Sequence, residues 1–247
     1  MKRFLLFTVT VLLLLPLLCS CVMTGEDETL TARVIRIYPD ADVILLAPMD
    51  MSEGQPPLFL YWEFHESLAE GDCLVLTYRG GLVEEKSPYL NAPVYRPKKT
   101  VNMTTDFKRF DNLASVYLDA LTDLVTESGG FGAPKMLSVD LADTALPENE
   151  RAAFRLAIEE RAGAVPMSLT ITELDEAGYL IKDPELKWED GYVLSVVENE
   201  ESTDDKRTFR VRIWRSGLFH KSWMDNTTER DENGVWSPYE KGHLRQG

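Results

Sequence analysis

Cysteine and histidine are scarce in this chain, three of each in 247 residues. Cys19 and Cys21 stand at the end of an N-terminal apolar run, which leaves Cys73 alone in the body of the sequence. One thiol cannot make an intramolecular disulfide framework. His65, His220 and His243 are scattered, and with a single cysteine they cannot supply a structural zinc site. Basic residues are also in deficit: 26 Lys and Arg against 41 Asp and Glu leave a net charge of −15. Nucleic acid and anionic lipid headgroups repel such a surface, so neither is an expected partner of it. Nor does the N-terminal run reach across a bilayer. Phe4 to Leu18 is 15 residues long, against the roughly 20 that a spanning helix needs, and Pro16 disfavours a continuous helix.

What the N-terminus does carry is an address. Lys2 and Arg3 precede the apolar run and small polar residues follow it, the layout of a secretory signal peptide over residues 1–20. Leu18-Cys19-Ser20-Cys21 resembles a bacterial lipobox, with Cys19 standing where Ala, Ser or Thr is more usual. That resemblance implies cleavage between Ser20 and Cys21 and a thioether-linked diacylglycerol on Cys21, with fatty acyl groups such as palmitate. Two acyl chains anchor stably where one is marginal. The competing expectation is an ordinary leader that releases a soluble protein. Loss of Lys2 and Arg3 with the leader takes the net charge to −17. Residues 21–28 then form a lipidated tether, and the expected location is extracytoplasmic, on the cell membrane of a bacterium.

Roughly 225 residues remain, enough for one large or two small domains with real cores. Residues 29–97 read as short strands. Thr31–Tyr38 is rich in β-branched residues, Val43–Pro48 follows a turn, and Leu58–Phe64 and Cys73–Gly80 follow turn-rich stretches. Closure into a small antiparallel barrel would remove the exposed edges. The stretch from Glu70 to Tyr95, with Gly71, Asp72, Val75, Tyr78, Gly80, Glu84 and Pro88, resembles a small-barrel domain of unknown function found in secreted lipoproteins of Gram-positive bacteria. The resemblance implies an OB-like barrel and carries no established chemistry.

Arg96–Asp106 is polar and aperiodic, and the expectation is a linker over 98–106. Beyond it, over 107–247, the rhythm changes. Phe110, Leu113, Ala114, Tyr117, Leu121, Leu124 and Val125 recur at helical steps. Met136–Leu141 alternates as a strand. A second helix begins behind Pro147 and stops at Gly163. Thr170 and Glu173 have the spacing of a capping box. From Leu186 the chain returns to strands, with a hairpin expected around Glu189-Asp190-Gly191, alternation over Thr208–Trp214, and a last strand near Asn233-Gly234-Val235-Trp236. The expectation is an α+β fold, a small OB-like barrel followed by helices on one face of an antiparallel sheet, in an NTF2-like or cystatin-like layout.

Chemistry-bearing residues are few. Glu63 and His65 share a strand face, as an acid–base pair does, yet no nucleophile accompanies them, and a polar outer face with Trp62 and Phe64 turned inward explains them better. Ser128-Gly-Gly-Phe-Gly follows a helix and precedes a strand, the reverse of a phosphate loop. Cys73 opens an apolar strand, where a free cysteine acts as a small hydrophobe. The acidic run Glu198–Asp205 lacks the glycine turn and spaced ligands of a calcium loop. Arg210, Arg212 and Trp214 share one strand face, opposite Phe209, Val211 and Ile213, and with Trp188 they are the ligand-binding candidates. The favoured reading is nonetheless that the acidic run Glu198–Asp205 neutralises these arginines across a hairpin. No catalytic residue, metal ligand or cofactor is expected. The functional expectation is a membrane-anchored, non-enzymatic lipoprotein that binds an extracytoplasmic protein or small molecule. The alternative is an enzyme with a small-molecule pocket in an NTF2-like C-terminal domain. A transporter's solute-binding lipoprotein fits poorly, because the repeated strand–helix alternation of such proteins is missing.

Overall fold

The computed structural model describes residues 26–49, 55–62, 68–130, 132 and 134–247. Five strands, β1 (Asp27–Tyr38), β2 (Val43–Pro48), β3 (Leu58–Tyr61), β4 (Cys73–Lys86) and β5 (Pro93–Thr105), form the first part. They close on themselves in the order β1-β2-β3-β5-β4. Neighbours are antiparallel except β3 and β5, which run parallel where Phe59 faces Val94.

Val43–Ala47 is apolar at every position, a pattern that fits a strand buried on both faces. Ile44 and Leu46 point into the ring with Val34, Leu60, Leu74 and Leu76. Val43, Leu45 and Ala47 point outward into a second core, joined by Ile35, Phe59 and Val94. In β1 the register slips between Val34 and Arg36, and this bulge lets the consecutive residues Val34 and Ile35 both be buried.

Two helices meet the outward face. α1 (Leu113–Glu127) and α2 (Glu148–Ala162) form a middle layer, α2 against β1 and β2, α1 chiefly against a second sheet. That sheet is built from β6 (Met136–Asp140), β9 (Gly191–Glu198), β10 (Lys206–Trp214), β11 (His220–Glu229) and β12 (His243–Gln246), in the order β12-β11-β10-β9-β6. Between β6 and β9 the chain makes α2, a short helix α3 (Ile171–Glu176) and a two-stranded ribbon, β7 (Ile181–Lys182) with β8 (Leu186–Lys187). The caps read from the sequence are in place. Gly163 ends α2 at φ 67°, and Thr170 and Glu173 exchange hydrogen bonds of 3.2 and 2.8 Å at the start of α3.

One core therefore serves both parts. Ring residues Leu45 and Phe59, helix residues Tyr117 and Phe154, and sheet residues Val196 and Phe209 belong to the same buried cluster. Exposing Ile35, Val43, Leu45, Phe59 and Val94 by separating the ring would cost on the order of 10 kcal/mol at about 2 kcal/mol each, comparable with the whole stability of a typical domain.

A buried ion pair fastens the same junction. Arg33 of β1 donates from Nε to Glu150 of α2 at 3.2 Å, and the two side chains are 8% and 5% exposed. Arg33 Nη1 also donates to the carbonyls of Gly71, at 3.0 Å, and Arg109. Gly71 lies at φ 99°, and a Cβ there would come within 2.7 Å of Asn112, so only glycine lets the turn before β4 approach the start of α1. Burial raises the Glu150 carboxyl to about 6, against the pull of Arg33 and with a push from Asp111.

Several expectations need correction. Residues 98–106 are not a linker: β5 runs to Thr105, paired with β4 from Lys86↔Pro93 to Leu74↔Thr105. Lys98 to Asn102 are exposed at every position, so this part of β5 carries no apolar alternation. Asp27 and Glu28 also fall outside any tether, since in β1 they already pair with Arg79 and Tyr78. No hairpin turns at Glu189-Asp190-Gly191. Trp188 dives into a small core, β8 pairs with β7, and β9 pairs with β6 and β10. The second sheet is mixed, because β6 lies parallel to β9 from Met136↔Gly191. The last strand is His243–Gln246. Trp236 instead plugs the start of α1, donating from its indole to Asp111 at 3.0 Å and from its backbone to Asn112 at 2.8 Å.

Arg33→Ala leaves Glu150 buried without its cation and is expected to cost about 3–5 kcal/mol, measured by urea unfolding at pH 7. The pH dependence has a definite sign. A carboxyl raised from 4.5 to about 6 on folding contributes stability that is complete below 4.5 and lost as pH rises through 6. Wild type should therefore lose about 2 kcal/mol relative to Glu150→Gln across that window. A constant difference between the two would contradict this.

Candidate functional site

β10 presents two unlike faces. Phe209, Val211 and Ile213 turn inward to α1, and Arg210, Arg212 and Trp214 turn to the far side of the sheet. Part of that far side is roofed by the chain from Met167 to Trp188. Leu174 and Leu180 close over Trp188, Val193 and Trp214, and both tryptophans are buried, at 1% and 4% exposure. The structure thus places Trp188 and Trp214 in a small core of their own. Neither offers a face on which a ligand can stack.

The arginines lie beyond that roof. Arg212 stands directly opposite Ser195 on β9 and Ser222 on β11, and Ser222 stands opposite Arg245 on β12. Directly opposed residues of antiparallel strands project to the same face, so Ser195, Arg212, Ser222 and Arg245 form one polar row, with Arg210 two residues along β10. Arg210 and Arg212 are half-buried, their Nε atoms are buried, and those atoms have no hydrogen-bond partner. Among the described residues no salt bridge reaches Arg210, Arg212 or Arg245. Arg212 is pushed below its ordinary value, by burial first and then by the charges of Arg210 and Arg245.

The expected neutralisation by the acidic run does not occur. Glu198 pairs with Arg207 at 3.6 Å, and Lys206 pairs with Glu229 at 2.8 Å, while Glu200, Glu201, Asp204 and Asp205 are exposed in the loop between β9 and β10. Asp140 stands beside Ser195 on β6, at the other end of this row, and among the described residues no salt bridge joins it to the arginines. It accepts from the Ala142 amide at 3.1 Å, and burial raises its carboxyl.

Between α1 and the sheet no room is left. Tyr117, Leu121, Val196, Phe209 and Trp223 fill that space, each at most 1% exposed, with Tyr117 and Phe209 ring centroids 4.7 Å apart. Clefts occur elsewhere. One of about 310 Å³ lies beside Pro134, Lys135, Asp190 and Arg215. Another of about 340 Å³ opens in the ring where β3 and β5 diverge, floored by Leu60, Leu76 and Met103, with Arg96 over Tyr61 at 4.5 Å on its rim. Among the described residues no group of three His, Cys, Asp or Glu gathers as metal ligands would, and no helix is long and apolar enough to cross a membrane.

Ser20, Cys21, Glu63 and His65 lie outside the described residues. Cys73 is fully buried, its Sγ 3.4 Å from Met49 Sδ, and burial pushes the thiol up. Ser128 closes α1, donating from Oγ to the Leu124 carbonyl at 2.7 Å, so its loop is a connector. Sequence reasoning missed Arg245, Ser195 and Ser222. A short polar strand such as His243–Gln246 has no apolar signal, and only the register across β11 brings Arg245 beside Arg212. No family model matches the chain, and neither a curated protein nor a solved structure matches it.

Two outcomes follow. A maleimide should label Cys73 only under denaturing conditions, as read by peptide mass spectrometry, whereas rapid native labelling would contradict its burial. Trp214→Ala should cost about 3–5 kcal/mol as a core truncation, measured by urea unfolding.

Proposed function

We propose that this chain is a lipid-anchored, extracytoplasmic binding protein with no catalytic activity of its own, and that the far face of its second sheet is where it binds. The single observation that carries the binding reading is the set of unpaired arginines on that face, in a chain where acids outnumber bases 41 to 26. An unpaired, partly desolvated guanidinium is costly to keep. Arg210 and Arg212 are of this kind, and with the exposed Arg245 beside them they fit a surface that awaits an anionic partner better than one with a structural task.

Anchoring rests on the Leu18–Cys21 pattern and its resemblance to a lipobox. In the first part, the strand order 1-2-3-5-4 with a parallel β3/β5 pair supports an OB-type barrel, in line with the resemblance of the Glu70–Tyr95 stretch to the small-barrel domain of Gram-positive lipoproteins. For the second part a cystatin-like wrap fits better than a pocketed NTF2-like cone, since Tyr117, Phe209 and Trp223 occupy the space that a pocket would need. The same filling argues against the enzymatic alternative.

Cys21→Ala should move the protein from the membrane fraction to the medium or periplasm, and unchanged fractionation would contradict the anchor. For the binding reading, the full chain is purified gently from its own membranes and measured by native mass spectrometry. A stoichiometric extra mass, lost on denaturation and lost in Arg212→Gln, supports it. A bare chain, together with no crosslink captured from the far face in intact cells, would overturn it.

A further inference from the structure

The geometry points to a ligand class: we propose that Arg210, Arg212 and Arg245, with Ser195 and Ser222, bind a tetrahedral, doubly charged oxyanion, either inorganic phosphate or a small phosphomonoester. This rests on taking the far face of the second sheet as the binding face.

The row is a built arrangement. Arg212 occupies its centre, flanked by two hydroxyls on the neighbouring strands, Ser195 and Ser222, both largely buried at 7% and 3% exposure. Arg245 closes one side from β12 and Arg210 another from β10. The backbones of Arg212 and Arg245 are two strand spacings apart, about 10 Å, and Arg210 lies two residues further along β10, so long side chains from β10 and β12 can converge above Ser222. The Nε atoms of Arg210 and Arg212 are buried, so these two guanidiniums are partly desolvated, and Arg245 is exposed beside them.

Charge and donor number select the ligand. Arginine carries five N–H donors in a planar fork and binds phosphate and carboxylate oxygens two at a time. A single carboxylate would use one fork and leave the other two cations unbalanced. A tetrahedral dianion offers acceptors in several directions, enough for two guanidiniums and the serine hydroxyls together. Polyanions are disfavoured for a different reason: the chain's net charge of −15 repels an extended nucleic acid or an anionic bilayer, while a small anion can reach a local basic row. An acid could have neutralised the row, since 41 are available, yet no described one lies within ion-pair distance.

The test uses the full chain in a non-ionic detergent. Thermal unfolding is followed while chloride is exchanged for inorganic phosphate at constant ionic strength. Concentrations stay at a few millimolar, below those at which phosphate salts stabilise proteins generally. A ligand bound only by the folded state raises the melting temperature saturably. The expected result is such a rise, with Arg212→Gln and Arg245→Gln each weakening the apparent affinity about tenfold. Arg79→Gln, on the ring and paired with Asp27, should leave it unchanged. Because the guanidiniums repel one another, neither Arg212→Gln nor Arg245→Gln should melt below wild type in chloride. Glycerol 3-phosphate run in parallel separates the sources: tighter binding than inorganic phosphate assigns the site to a phosphomonoester, and weaker binding to the free ion. No saturable rise, or a rise that both variants leave intact, overturns the proposal. If phosphate fails while native mass spectrometry still finds an Arg212-dependent bound mass, the oxyanion assignment falls and the binding reading stands.

Discussion

Strands β2 and β3 carry apolar side chains on both faces, and the outward set, Val43, Leu45, Ala47 and Phe59, must be covered by something outside the ring. That requirement orders the rest of the molecule. α2 covers β1 and β2, α1 lies beside α2, and the apolar stripe left on α1 must in turn be covered, which the second sheet does. Arg33 and Glu150 sit at the first of these junctions. Their pairing is a weak source of net stability, because desolvation offsets most of the attraction. Its consequence is geometric: a misplaced helix would strand a buried charge, so the pair penalises any other docking of α2 on β1.

The layering also explains where binding can happen. The ring's outward face at β2 and β3 and the inward face of the second sheet are consumed by the shared core, and the space around Tyr117 and Phe209 is packed solid. The chain from Met167 to Trp188 roofs one end of the sheet's far side and stops short of Arg212. What remains is a strip of sheet whose central residues are cationic, in a protein that is otherwise strongly acidic. Unlike the exposed pairs Lys206–Glu229 and Arg79–Asp27, which contribute little to stability, the Arg210, Arg212 and Arg245 group has no internal partner.

Much of this was legible in the chain before any coordinates. α1 and α2 were marked by period and by Pro147 and Gly163, and α3 by its capping box, because those signals are local. The every-position apolar run Val43–Ala47 was read only as a strand of a separate small barrel, and its second face, which serves the shared core, went unread. What could not be read depends on distant partners. β5 lacks an apolar alternation because Lys98 to Asn102 are exposed at every position, β9 takes β6 as a parallel neighbour across a long crossover, and Gly191 marks contact rather than a hairpin: a Cβ there would meet the Met136 carbonyl and the Trp188 ring. At the site, the shared face of Arg210 and Arg212 followed from two-residue spacing. The burial of Trp188 and Trp214 did not, since their cover comes from a loop with no strong pattern. Arg245 joined only through the register of β12.

The claim most exposed to test is that ring, helices and second sheet are one cooperative unit. Hydrogen-exchange mass spectrometry across a urea series reads the ring, at Leu74–Leu76, and the sheet, at Leu194–Val196, in the same sample. A shared core requires both to lose protection at one urea midpoint, and Arg33→Ala to lower both together. Two separated midpoints, or a variant that moves the ring alone, would mean that two independent domains merely touch, and the far face of the sheet would then have to be understood without the ring.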